Sequence, residues 1–186
     1  YGSGLGNWVL YNNTGSNAYI TTVSGRNMFA FYGSNDGYEG GVNITPLLTD
    51  NFDCSANFVA PNGMTTEFQM CGNDGMSDKY VALAVSSGSA SLRWYTSGGW
   101  NGGSYTTVAS SSSAPAGLFY VTYRLGVWTV YTGASPDDGG TEIMSWTEPT
   151  SGGPQHGPGY RYFGLKLFRN LYQDSSAISS FMAKDV

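Results

Sequence analysis

Apolar and polar residues alternate with a period of two along most of this chain, whereas the three-and-four spacing of an amphipathic helix is never kept up for a helix length. The alternation predicts strands over residues 8–11, 18–23, 27–32, 52–60, 65–71, 79–86, 90–96, 105–109, 118–125, 127–132, 142–146, 160–168 and 178–183. Between them, Asn35-Asp36-Gly37, Asn62-Gly63, Asn73-Asp74-Gly75, Gly126 and Asp138-Gly139-Gly140 supply residues that tolerate left-handed backbone, as reversals require. Short strands at this spacing predict an all-β, two-sheet antiparallel sandwich of jelly-roll type. Parity then assigns faces, because residues two apart in a strand share a side. Val81, Leu83, Val85, Leu92, Trp94, Phe119, Val121, Tyr123, Leu125, Phe163, Leu165 and Leu167 form the expected core. The opposite parity carries Tyr80, Arg93, Tyr95, Tyr120, Tyr160, Tyr162 and Lys166, an outward set rich in tyrosine.

Composition narrows the function classes. A chain of 186 residues with 40% hydrophobic and 15% aromatic content can fill a core, so disorder is not expected. Eight Lys and Arg against thirteen Asp and Glu, a net charge of −5 and no basic cluster make nucleic acid a poor partner. No apolar run approaches the ~18 residues of a membrane-spanning helix, so membrane insertion is not expected. One domain over residues 1–186 is the expectation, with the polar stretches 110–115 and 150–159 as loops inside it. A first residue that is Tyr rather than Met points to a fragment of a longer chain.

Candidate chemistry is sparse. The four glutamates, Glu39, Glu67, Glu142 and Glu148, do not stand as a same-face pair of the kind that glycoside hydrolysis needs, and read as solvated surface acids. The single histidine, His156, lies among glycines and prolines, where a turn role outweighs a general base working with a tyrosine. Calcium ligands are available from Asn73, Asp74 and Asp78, or from Asn35, Asp36 and Glu39, but neither stretch keeps a full acidic loop pattern and turn chemistry explains both. One His and two Cys cannot complete a zinc site. A two-residue Asn62-Gly63 hairpin would set Cys54 opposite Cys71, whereas burying Phe52, Ala56 and Phe58 with Phe68 and Met70 shifts the register and separates the thiols. Burial is the stronger constraint, so two free cysteines are expected. Asn12-Asn13-Thr14 and Asn43-Ile44-Thr45 match a glycosylation acceptor pattern that an Asn- and Thr-rich chain produces by chance. The aromatic residues carry the positive signal, since Tyr and Trp faces stack on the C–H faces of sugar rings. Tyr80, Arg93, Tyr95 and Tyr162 share the outward parity, and Trp100 and Asn101 follow Tyr95 in a glycine-hinged loop, so these six are the candidate glycan-binding residues. The competing reading packs the tyrosines against another subunit.

Gly6-Asn7-Trp8, the run from Tyr120 through Gly126 with Trp128-Thr129-Val130-Tyr131, Tyr160-Arg161-Tyr162-Phe163-Gly164-Leu165 and the closing Ser175–Asp185 together resemble concanavalin A-like, laminin-G-like jelly rolls, in particular those of minor tail proteins of phages infecting actinobacteria. The resemblance implies a virion location, with an extracellular protein as the alternative. It also implies contact with a host cell-surface glycan, neighbouring tail subunits and often a homotrimer. Glucanases of this fold carry a Glu-x-Asp-x-x-Glu strand that is absent here. Gln155-His156 and Tyr162-Phe163-Gly164 only partly echo the Gln-x-His and Tyr strands of the alginate lyases. The expectation is therefore a non-catalytic adhesin domain with no cofactor, calcium at Asp74 and Asp78 being the one candidate. A structural oligomerising virion domain, a secreted carbohydrate-binding module and a polysaccharide lyase are the alternatives, in that order.

Overall fold

The computed structural model describes residues 7–12, 17–23, 26–32, 37–59, 65–97, 103–114, 117–169 and 177–186. The strands are β1 (Trp8–Asn12), β2 (Asn17–Val23), β3 (Arg26–Tyr32), β4 (Gly37–Asn43), β5 (Phe52–Val59), β6 (Thr66–Gly72), β7 (Tyr80–Ser86), β8 (Ser89–Tyr95), β9 (Tyr105–Ser111), β10 (Gly117–Arg124), β11 (Val127–Thr132), β12 (Thr141–Thr147), β13 (Tyr162–Arg169) and β14 (Ala177–Asp185). Sheet one runs β1-β4-β13-β6-β7-β8-β9 and sheet two β12-β11-β10-β5-β14-β3-β2, with every neighbouring pair antiparallel. The predicted strands are present with ends shifted by a residue or two. The addition is β4, whose sequence Gly-Tyr-Glu-Gly-Gly-Val-Asn has too few apolar side chains to show a period.

The core lies between the sheets and follows the predicted parity. Val81, Leu83, Val85 and Leu92 face it from sheet one, and Phe52, Cys54, Phe58, Phe119, Val121, Trp128 and Val130 from sheet two. Phe52 joins the layers, meeting Trp128 edge-on at 5.6 Å and Phe163 of the opposite sheet edge-on at 5.1 Å. Each such side chain contributes about 1.5–3 kcal/mol by leaving water. Trp94 keeps its predicted inward face and packs against the core, although it is only half-buried, and it stacks on Trp146 at 6.5 Å. One core assignment needs correction. Leu125 is 89% exposed, because β10 ends at Arg124 and Leu125-Gly126 forms a two-residue hairpin loop with φ of +47° and +87°, so strand parity no longer applies to it.

Cys54 and Cys71 are both free, as expected, although the reason differs; both are also buried, Cys71 against the parity that sets it on the opposite face from Phe68 and Met70. Strands β5 and β6 are consecutive but lie in different sheets, so no hairpin register ever opposes them. Cys71 has φ +54° at a bulge in the β13–β6 pairing, and the extra residue turns both Met70 and Cys71 into the core while Gly72 faces out.

A candidate carbohydrate face on sheet one

Antiparallel register arranges the outer face of sheet one in rows across the strands. Tyr80, Tyr95 and Tyr105 are direct cross-strand partners on β7, β8 and β9. Beside them run Val9, Val42, Gly164, Gln69, Ala82, Arg93 and Thr107, and beyond those Gly40, Lys166, Glu67, Ala84 and Ser91. Tyr80, Arg93, Tyr95, Tyr162 and Lys166 thus share one face, as parity predicts. Tyr120 does not belong with them. It lies on β10 in sheet two, where burial and then Asp53 push its hydroxyl up to about 12.

This face is not an open platform, which corrects the expected exposure. Tyr80 is 0% and Tyr95 2% exposed, and the tyrosines stack on each other at 4.3 Å. Their cover is Met76 from the β6–β7 loop, itself fully buried with φ +46°. Gly72 makes room for it: a Cβ there would stand 2.0 Å from the Met76 sulfur. Asn73 fixes this loop, accepting from Ser77 N at 2.8 Å and donating to Ser77 Oγ at 2.8 Å, so the Asn-Asp-Gly turn uses its own side chain internally. Among the described residues no three His, Cys, Asp or Glu side chains converge to hold a metal, Asp74 and Asp78 included. Asn35 and Asp36 lie outside the described residues, as do Trp100 and Asn101.

Beneath the tyrosines is a buried charged cluster that the sequence reading missed by treating Glu67 as a solvated acid. Tyr95 donates its hydroxyl to Glu67 Oε1 at 2.6 Å, Arg93 Nη1 donates to the same oxygen at 2.9 Å, and Lys166 Nζ stands 3.5 Å from Oε2. Glu67 faces its partners because Lys166 is its cross-strand neighbour on β13 and Arg93 lies two strands away on β8. Desolvation, reinforced by the Glu67 charge, pushes the Tyr80 and Tyr95 hydroxyls well above the usual phenol range, so both remain protonated. Desolvation also lowers the Lys166 ammonium, against the pull of Glu67. At the edge, Tyr105 is 46% exposed and the Arg93 guanidinium lies 4.6 Å over its ring. At the other side of the face an open groove of about 410 Å³ is lined by Val9, Ile44, Asp74, Gly75 and Tyr162. Tyr162 and Asp74 are the two sequence-derived candidates that meet there.

A second cluster closes one end of the sandwich, also unforeseen. Glu148, expected on the surface, accepts from Trp128 Nε1 at 2.6 Å, and His156 Nε2 lies 2.9 Å from its Oε2 and 3.1 Å from the Tyr123 hydroxyl. His156 also stacks on Tyr123 at 4.9 Å. The usable clue was Trp128, a core-parity indole whose N–H demands a buried acceptor. These groups can exchange protons, but Tyr123 and Trp128 are core residues packed on Phe52, and the hydrogen bonds tie the loop carrying His156 to that core.

No protein-family model matches the chain, and no curated protein matches it in sequence. Solved structures do. The carbohydrate-binding module CBM66 from Bacillus subtilis superposes with a TM-score of 0.58 at 8% identity over 96% of both chains. The exoplasmic/lumenal domain of VIP36 superposes in its Ca2+-bound form with a TM-score of 0.65 at 11% identity, over 97% of this chain and 84% of that one. The same domain bound to Ca2+ and Man3GlcNAc gives 0.62 at 12% identity. At such identities the shared property is architecture: like these domains, the chain folds as a two-sheet, concanavalin A-like jelly roll.

Proposed function

We propose that this domain binds carbohydrate without transforming it, as a host-contacting domain of a phage minor tail protein. The observation that carries the reading is the groove beside Tyr162. It sets an aromatic ring and the exposed apolar side chains of Val9 and Ile44 against the Asp74 carboxylate, so a sugar's C–H face and its hydroxyls each find a partner. Proteins of the same fold whose names state carbohydrate binding, or whose structures hold Man3GlcNAc, support a glycan as the ligand class. The tail role, the virion location, the neighbouring tail subunits and the homotrimer rest on the sequence resemblance, as does the reading of residues 1–186 as one domain of a longer chain. Trp100 and Asn101 enter on sequence grounds, following Tyr95 into the β8–β9 connection. A single groove of this size gives weak affinity, which several copies on one particle raise by avidity.

The test is binding of the domain, displayed as a streptavidin tetramer, to a glycan array and to actinobacterial cell walls, with and without calcium. Wild type is expected to bind and Tyr162→Ala to lose most of the signal. Equal binding by both variants removes the groove from the reading. No binding by either favours the structural virion domain, and release of unsaturated uronate products would favour the lyase.

A further inference from the structure

Resting on the carbohydrate reading, we propose that the far edge of this face is a carboxylate subsite built by Arg93 and Tyr105, so that the glycan recognised contains an acidic sugar. Arg93 Nη1 is spent on Glu67, and Nε is shut away from solvent with no partner among the described residues. The side chain as a whole keeps 20% exposure, and it is through this exposed part that a ligand would meet it. Glu67 is a positioning residue here. It holds the guanidinium through Nη1, with Tyr95 sharing the same carboxylate oxygen. Tyr105 lies under the guanidinium at 4.6 Å and is the most exposed ring of the tyrosine row, so it offers a stacking surface for a sugar ring whose carboxylate reaches Arg93. This pairing is unlike the Tyr162 groove, whose charged member is the acidic Asp74. The two places differ in sign and therefore in the sugar they take. From β13 to β9 there are four strand spacings, roughly 19 Å, so a ligand touching both is an oligosaccharide of several residues rather than a single sugar.

Hexamers of galacturonate and glucuronate, and actinobacterial cell-wall polysaccharide, each compared before and after chemical reduction of the carboxyl groups, test this on the unaltered domain. Native acidic glycans are expected to bind at least about tenfold more tightly than their reduced forms, and the difference should shrink as salt is raised. Arg93→Gln should abolish the preference while leaving binding of neutral sugars at the Tyr162 groove, and Arg93→Lys should restore part of it. Reduced and native glycans bound alike by wild type would overturn the carboxylate subsite and leave the carbohydrate reading standing. Binding to no glycan, acidic or neutral, would overturn both. Because the ligand rather than the protein is altered in the first comparison, a folding defect in an Arg93 variant cannot mimic either result.

Discussion

Glu67 and Glu148 are the same residue type held in two different ways. Each accepts a 2.6 Å hydrogen bond from an aromatic donor, Tyr95 for Glu67 and Trp128 for Glu148. Around Glu67 the remaining partners are cations, Arg93 and Lys166, delivered by strands β8 and β13. Around Glu148 they are the Tyr123 hydroxyl, at a longer 3.5 Å, and His156, the latter delivered by the irregular segment after β12. The difference shows what each region is built for. A sheet fixes long cationic side chains by register and can hold an ion cluster on its outer face. A loop is pinned to the core by an indole N–H, a hydroxyl and one imidazole that meet on a single carboxylate.

The largest effect should follow from removing Glu67. Glu67→Ala leaves Arg93 and Lys166 desolvated without their shared acid, and the expected loss is about 3–5 kcal/mol in urea unfolding. That is comparable with the about 2–5 kcal/mol expected for Leu165→Ala in the core. Glu148→Ala strands the Trp128 indole N–H, the Tyr123 hydroxyl and His156 Nε2, and should cost about 1–3 kcal/mol, with Glu148→Gln costing less because its amide oxygen still accepts from Trp128. A Glu148 variant more damaging than the Glu67 one would break the contrast between a cluster of two buried cations and one built mainly from aromatic donors.

The contrast also marks what could be read in advance. Strand positions and face parity were legible because alternation is local, and so was most of the core: Leu83, Leu92, Val121, Phe163 and Leu165 are where parity puts them. Leu125 was misread because parity does not say where a strand stops. Exposure was not legible either. Tyr80 and Tyr95 are covered by Met76, whose arrival depends on Gly72, on a bulge at Cys71 and on a turn pinned by Asn73. The partners of Glu67 come from β8 and β13, and knowing them requires the strand order, which in a jelly roll is not the chain order. Tyr162 and Asp74 were separately named, the one as an outward aromatic and the other as a turn acid, and only folding brings them to one groove.

Thiol chemistry sharpens the comparison at the Glu148 end. Burial, with Glu148 the next contributor, pushes the Cys71 thiol well above its usual range, and burial does the same to Cys54 with Cys71 next. Neither should react in the folded protein, and denaturation without reductant should release two thiols. Since labelling then reports opening, Glu148→Ala should accelerate it by roughly 5- to 150-fold at Cys71, following its stability loss. Fast Cys71 labelling in wild type, with Cys54 silent, would show that this end opens on its own and is not held as described.

The smallest effect concerns acid. Two carboxylates clasp the Glu148 end from outside. Asp50 Oδ1 accepts from Arg161 Nε at 2.8 Å and from Gly157 N at 2.9 Å, while Asp185 Oδ1 accepts from Leu48 N at 2.8 Å and Thr49 N at 2.7 Å. The hydrogen bond from Arg161 holds Asp50 below its ordinary 3.8, and at Asp185 the backbone donors Thr49 and Leu48 overcome the opposing effect of desolvation with the same outcome. A folded value below the unfolded one means that the clasp stabilises above about pH 4 and that its contribution disappears as the pH falls through the lowered values. Both groups are largely solvated, so the gain is modest and salt-sensitive. Asp50→Asn combined with Asp185→Asn should therefore cost little near neutral pH and flatten the acid limb of a urea-midpoint profile. Hydrogen exchange in wild type should show residues 148–161 losing protection in acid before β6 and β7 do, because those two strands lie inside sheet one with nearly every residue buried. Simultaneous loss of protection at both ends would mean that the clasp is not what separates them.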